Sequence, residues 1–314
     1  AAIPMPFGVL HTELLDQREN IEAAVARMQL IGGAASAVPR AEPPRLQDAP
    51  TWPDGSLRPD FVTAPLAGTE FRDLAEGPLL TVVPAGGFVM GSPADEAGRK
   101  KSEGPQHRVR IATTLAVGKY PVTFRDWDAF GSHTKSAYSP ANNDWGGEQR
   151  PVINVSWEDA IAYCEWLSIS TGQPYRLLTE AEWEYCCRAG ATTRYSCGQT
   201  ISSEQANFNA SAHPVAGSAK TFRKRTTPVG QFPENGFGLA DMHGNVSEWV
   251  QDPWHDDYTQ SPVDGRCWNG VGSRRVLRGG SWHDFPQDLR CASRAWAVPS
   301  ERAANIGFRV CRAL

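Results

Sequence analysis

The sequence has no C-x-x-C pair, no apolar run long enough to cross a bilayer and no surplus of basic charge. The first absence removes the usual zinc and dithiol-redox signatures, and seven cysteines at irregular spacing read as mostly buried thiols with room for one or two bridges. The second removes a membrane-spanning helix, which needs about 20 apolar residues. The third, a formal charge of −4, argues against nucleic acid as the main partner, because phosphate contacts need a basic face. The short cluster Arg223, Lys224 and Arg225 reads as a solvated loop. The first ten residues lack a basic stretch and a long apolar stretch, so no secretory leader is expected. Two locations stay open on this reading, the cytoplasm and display on a phage or cell surface.

The composition is that of a globular domain: hydrophobic residues make up 40 %, enough for a core that needs neither disulfides nor metals. Three regions differ in texture. Residues 1–37 read as a helical extension, in which Leu14, Ile21, Val25 and Met28 form one stripe over 9–30, with Leu10 and Leu15 beside it. Gly32 and Gly33 stop that helix. Its stripe suits packing on the main domain, or assembly with another chain. Residues 38–76 read as a proline-rich linker, with seven prolines between 38 and 65 that exclude a helix or a central strand.

From residue 77 to 314, short β-like runs alternate with glycine- and tryptophan-rich loops. The stretch LLTVVPAGGFVMGS reads as strand, glycine turn and strand. Two helices stand out, at about 157–169 and 180–188. Ser156 opens the first with the capping box S-W-E-D. Thr179 opens the second with T-E-A-E, and Gly190 closes it. Few helices and much irregular backbone give an α+β fold class. Trp127, Trp157, Trp166, Trp183 and Trp249 read as apolar core anchors, each with one N–H to satisfy.

Seven segments together resemble the formylglycine-generating-enzyme, or sulfatase-modifying-factor, family. They are GGFVMGS at 86–92, KYPVTFRDW at 119–127, RPVINVSWEDAIAYCEWL at 150–167, YRLLTEAEWEYCCRAG at 175–190, NGFGLADMHGNVSEWV at 235–250, RVLRGGSW at 275–282 and NIGFRV at 305–310. Each is weak alone, and their joint order is specific. The resemblance implies a loop-rich C-type-lectin-like fold.

The resemblance also implies where an oxidase would hold copper, through two cysteines between the R-G-G-S motif and a later R-C-A. Here that interval is WHDFPQDL, which contains no soft sulfur ligand. A copper-dependent oxidase is therefore not expected. A second branch uses three histidines in an added N-terminal domain, and residues 1–77 contain only His11. A copper-independent oxidase or maturation enzyme of the same superfamily stays open as the competing enzymatic reading. The family pattern sets Cys187 opposite Cys291 as a disulfide. It also gives Cys164 a partner near the C-terminus, although Cys311 lies one position past the expected place at Val310. His107, His133, His213, His243, His255 and His283 are scattered, with surface or core roles as the default.

The loop ADMHGNVSEW resembles a family calcium loop. Carried over by position, its ligands are the side chains of Asp241 and Glu248 and the backbone oxygens of Gly244 and Val246, a hard-oxygen set. The alternative is a turn held by hydrogen bonds alone. A second family site needs an Asp near Thr221, which is absent, and Asn207 alone does not make it. No cofactor is required on this reading; calcium would be structural.

The segment from about 278 to 314 resembles the variable region of diversity-generating retroelement target proteins. There a fixed frame, R-G-G-S-W…P…L-R…R…P…R…I-G-F-R-V, is interrupted by positions diversified at template adenines, mostly in AAC or AAT codons. The interruptions here are His283, Asp284, Phe285, Asp288, Ser293, Ala295, Trp296, Ala297, Val298, Ser300, Ala303 and Ala304. All but Trp296 are reachable from such codons, and Trp296 is reachable from AGG; Gln287 and Glu301 would be fixed. The interruptions have no hydrophobic period, whereas Arg290, Arg294, Arg302, Arg309, Leu289, Ile306 and Phe308 are residues a fold needs. Unpatterned residues on a rigid frame read as a binding surface. Without Lys or Arg among them, that surface suits a protein or glycan partner, and the expected state is a monomer.

Overall fold

The structure is a computed structural model that describes residues 67–134, 138–211, 220–270 and 272–314. The expected N-terminal helix at 9–30 and the proline-rich stretch at 38–65 lie outside the described residues.

The chain opens with β1 (Glu70–Phe71), β2 (Leu80–Val83), β3 (Gly86–Met90), β4 (His107–Ile111) and β5 (Leu115–Gly118). Helices α1 (Phe124–Thr134) and α2 (Trp157–Thr171), strand β6 (Arg176–Leu177) and helix α3 (Glu180–Arg188) follow. After a long irregular stretch come β7 (Ser247–Pro253), β8 (Arg275–Arg278), β9 (Arg294–Ala297), β10 (Ile306–Phe308) and β11 (Val310–Ala313). One sheet has the order β1-β2-β5-β11-β6, a second β10-β7-β8-β9, and β3 and β4 form a separate ribbon. All pairings are antiparallel except β10 on β7. The arrangement is loop-rich α+β, as expected.

Both sequence-marked helices begin at their expected caps. Ser156 Oγ accepts from the Asp159 N–H while Asp159 returns a bond to the Ser156 N–H, and Thr179 and Glu182 repeat the exchange. At the other end of α3 the left-handed residue is Ala189, one position before the expected glycine. Helix α1 was not expected. Its start carries the same device: the Thr123 N–H and hydroxyl donate to Asp126 Oδ2 at 2.9 and 2.7 Å. Strands β2 and β3 are adjacent in sequence but do not pair; β2 joins β5 and β3 joins β4. Residues 70–71, placed by sequence in the linker, pair with β2.

The core is aromatic. Trp127, Phe130, Tyr163, Trp166 and Phe308 pack in edge-on and stacked pairs with centroids 4.9–6.3 Å apart, the separations aromatic pairs prefer. Trp183 and Trp249 are fully buried, and Trp157 is half-buried. Their indole N–H groups donate to Glu248, to the Val155 carbonyl and to the Val250 carbonyl respectively.

Candidate functional site

Four arginines of the C-terminal segment are 0–2 % exposed: Arg278, Arg290, Arg294 and Arg309. Each is neutralised by a carboxylate from a distant part of the chain, which the interior requires. Arg290 uses all five of its N–H bonds. They reach Glu96 and both oxygens of Glu103 at 2.5–2.7 Å, and the carbonyls of Gly98 and Gln287. Arg294 grips Glu180 with a two-bond fork at 2.6 and 2.8 Å and lies over the rings of Trp254 and Tyr258. Burial favours the neutral acid at Glu180, but Arg294 and Arg278 outweigh it and hold its carboxyl below the usual range. Arg278 reaches Glu184 at 2.5 Å and donates to the Ser293 carbonyl. Arg309 is the residue between β10 and β11. It pairs with Glu248 and donates to the carbonyls of Gly118, Lys119 and Ala240. Arg302 differs, lying exposed and pairing with Asp159 at 2.8 and 2.9 Å.

The interruptions between these arginines lie mostly outward. His283, Ala295, Trp296, Val298 and Ser300 are exposed. Trp296 and Val298 each retain 43 % of their surface, rare values for large apolar side chains here. Asp284, Phe285, Asp288, Ala297, Ala303 and Ala304 are half-buried, with Ala297 and Ala303 against the main core. Ser293 departs from the expected set. It is 3 % exposed, because it sits between two frame arginines, donating to the Arg290 carbonyl and accepting from Arg278.

Position β9 at the open edge of its sheet explains the exposure of Trp296, whose ring faces water on one side and carries the Arg274 guanidinium 3.7 Å from its centroid on another. The start of the segment meets its end through the Trp282 indole N–H, which donates to the Ala304 carbonyl at 3.0 Å. Next to His283 lies an aromatic patch that sequence reading missed. Trp282 packs edge-on against Trp145 and His283 at 5.4 Å and stacks on Phe222, over which Lys224 sits. These residues come from three separated loops, so no local pattern marks them. The basic cluster is likewise not simply solvated: Arg223 donates to the Ser203 carbonyl and covers the Phe232 ring.

The residues expected to hold calcium are close in sequence but chemically committed. Both oxygens of Glu248 accept from Arg309, and one also accepts from Trp183. Asp241 Oδ2 accepts from the Gly230 N–H. A cation would have to displace a buried guanidinium from Glu248, so the set does not fit calcium in this arrangement. Burial pushes the Asp241 carboxyl up to about 6, against the hydrogen bond from Gly230.

A different group could hold a metal. Among the described residues, the ligand atoms of Cys187, His243 and Cys291 lie within 4.8 Å of one another, and all three residues are buried. Cys187 and Cys291, which the family pattern pairs, are free thiols here. Cys164 and Cys311 are also free and buried, and Cys311 Sγ accepts from Arg176 at 3.2 Å.

Residues 67–314 match the sulfatase-modifying factor enzyme 1-like domain. The chain belongs to this family. The formylglycine-generating enzyme of Mus musculus is 34 % identical over 186 residues, 57 % of this chain and 48 % of that enzyme, so the match spans about half the relative's length. Among solved structures, PvdO from Pseudomonas aeruginosa is 36 % identical with a TM-score of 0.73, covering 80 % of this chain and all of the other. Treponema denticola variable protein 1 shares the C-type-lectin-like fold at 23 % identity and a TM-score of 0.61, covering 78 % of this chain and 99 % of its own. In this chain the R-G-G-S-W motif runs from the last residue of β8 into the following loop, and G-F-R-V runs from β10 through Arg309 to the first residue of β11.

Proposed function

We propose that this sulfatase-modifying-factor domain is a non-catalytic ligand-binding protein that presents side chains of residues 283–304 to a protein or glycan partner. The observation that carries the reading is the partition within that segment. The arginines at 278, 290, 294 and 309 are sealed inside carboxylate pairs, while His283, Ala295, Trp296, Val298 and Ser300 face water between them. Such a frame holds its geometry while exposed positions change, which is what a diversified surface needs. An exposed Trp with an adjacent Arg also matches the residues enriched in interface cores. The interval WHDFPQDL has no cysteine, so oxygen-dependent oxidation of a cysteine peptide by copper in that interval is not expected.

A second reading is a copper-independent oxidase or maturation enzyme. The likeness to formylglycine-generating enzymes favours it, as does the Trp145–Trp282–Phe222–His283 patch. The flanking DNA separates the two. The binder reading expects a reverse transcriptase gene and a near-copy of the stretch encoding 278–314 that differs at adenines. A locus without either, in which that stretch is invariant between isolates, would return the chain to the enzymatic reading.

A further inference from the structure

We propose that Cys187, His243 and Cys291 form a binding site for one thiophilic d10 cation, Zn(II) or Cu(I), that uses neither the exposed side chains of the binding surface nor the carboxylates of the calcium-like loop. Two thiols and an imidazole are the donors such ions select. Cys187 comes from α3, His243 from the loop before β7 and Cys291 from the loop before β9, so the site ties three elements together.

The geometry of His243 supports ligation. Its Nδ1 lies 2.7 Å from the Leu289 carbonyl, which fixes the proton on Nδ1 and leaves the Nε2 lone pair free to accept. A metal-bound histidine characteristically donates its other N–H to a backbone carbonyl in this way. Cys187 Sγ lies 3.8 Å from Nε2 and 3.9 Å from Nδ1, beside the ring, so the side chains must turn for one ion to meet both the sulfur and the Nε2 lone pair. Around a tetrahedral ion with bonds of about 2.0 Å to nitrogen and 2.3 Å to sulfur, the sulfur-to-nitrogen separation is roughly 3.6 Å. All three ligand atoms fall within 4.8 Å, so side-chain turns close the set.

At present Nε2 accepts from the Ser196 N–H at 3.1 Å and lies 2.9 Å from Ser196 Oγ. Metal entry exchanges those bonds for the metal. Ser196 belongs to the Tyr195–Gly198 turn, where Cys197 is exposed, so the site lies one turn below water. Both sulfurs bind as thiolates, any thiol proton passing to solvent, and no oxidation state changes. A disulfide between Cys187 and Cys291 would need an oxidant and would remove both sulfur ligands, so the two states exclude each other.

The test uses the full chain, reduced and metal-free, without oxygen. Zn(II) is titrated in competition with a chromophoric chelator, and Cu(I) in competition with bathocuproine disulfonate. One equivalent is expected in at least one arm, with X-ray absorption showing two sulfurs and one nitrogen around the ion. Cys291→Ser and His243→Ala should weaken uptake on the order of a hundredfold. Cys267→Ser should leave it unchanged, and protein with Cys187 and Cys291 oxidised together should take up none. The wild-type absorption measurement does not depend on any variant folding. Absence of uptake in both arms, a metal shell without sulfur, or uptake unaltered in Cys291→Ser would overturn the site.

Discussion

Arg309 and Glu248 form an ion pair where the two larger sheets meet: Arg309 Nη2 lies 2.8 Å from Glu248 Oε1, and both residues are 1 % exposed. Removing one partner leaves a buried charge without its counterion. Arg309→Met or Glu248→Gln is therefore expected to destabilise the domain by about 3–5 kcal/mol, read from urea midpoints. A loss below about 1 kcal/mol would show that the pair is solvated.

The same pair decides the calcium question. Because Glu248 is already neutralised by Arg309, millimolar calcium should leave the melting temperature unchanged. A ligand that binds only the native state raises it in proportion to the logarithm of its concentration. A rise of several degrees, lost in Asp241→Asn, would give the loop to calcium.

Side chains on the exposed set should be replaceable. Substituting His283, Val298 or Ser300 by Ala should change stability by no more than about 0.5 kcal/mol, and Trp296→Ala by about 1 kcal/mol because of its contact with Arg274. Ser293→Leu is expected to cost about 1–3 kcal/mol, since it inserts bulk between Arg278 and Arg290. Thermal and urea unfolding of the single variants checks the contrast; equal costs at Ser293 and Val298 would count against the partition.

Two buried acids set the pH dependence. Burial, with Glu180 adding to it, pushes Asp252 up to about 7, and burial pushes Asp241 up to about 6. Unfolded aspartates ionise near pH 3.9, so over the window from about 4 to about 7 the native state holds more protons. Stability must then fall as pH rises through that window. Below it the sign reverses, because Glu180 is held ionised by its arginines and loses that stabilisation on protonation. The urea midpoint should be lower at pH 8 than at pH 5; a higher value at pH 8 would contradict the assignment.

Gly244 leaves no room for a methyl group. Its φ is +78°, and an added Cβ would lie 2.3 Å from the Asn207 carbonyl oxygen. Gly244→Ala should cost about 3 kcal/mol or more. Gly172 also has a positive φ of +67° but faces open space, so Gly172→Ala should cost only about 1–2 kcal/mol. Parallel urea titrations of the two variants test this difference.

Much of the fold was legible because capping is local. S-W-E-D and T-E-A-E each state a helix start within four residues, and both helices begin there. T-F-R-D at 123–126 carries the same signal and was passed over, because α1 has only Trp127 and Phe130 as large buried residues to mark its face. The arginine frame was legible as a set of fold-determining residues. Its partners were not: Glu96, Glu103, Glu180, Glu184 and Glu248 lie far away in sequence, and spacing carries no record of such pairs. Ser293 was misplaced for a related reason. A small polar residue in an unpatterned run reads as exposed, and only the two flanking arginines bury it. The aromatic patch at Trp145, Phe222 and Trp282 was invisible because it is assembled from three loops.

Strand β11 lies inside its sheet, hydrogen-bonded to β5 on one side and to the edge strand β6 on the other. The segment from 283 to 304 is therefore encoded before a strand that joins β5 to β6. A stop codon or a frameshift anywhere in that stretch deletes β11 together with Arg309 and leaves β5 and β6 with open edges. Folding itself thus proofreads the segment: a chain that reaches its native state has been translated in frame through every position of it.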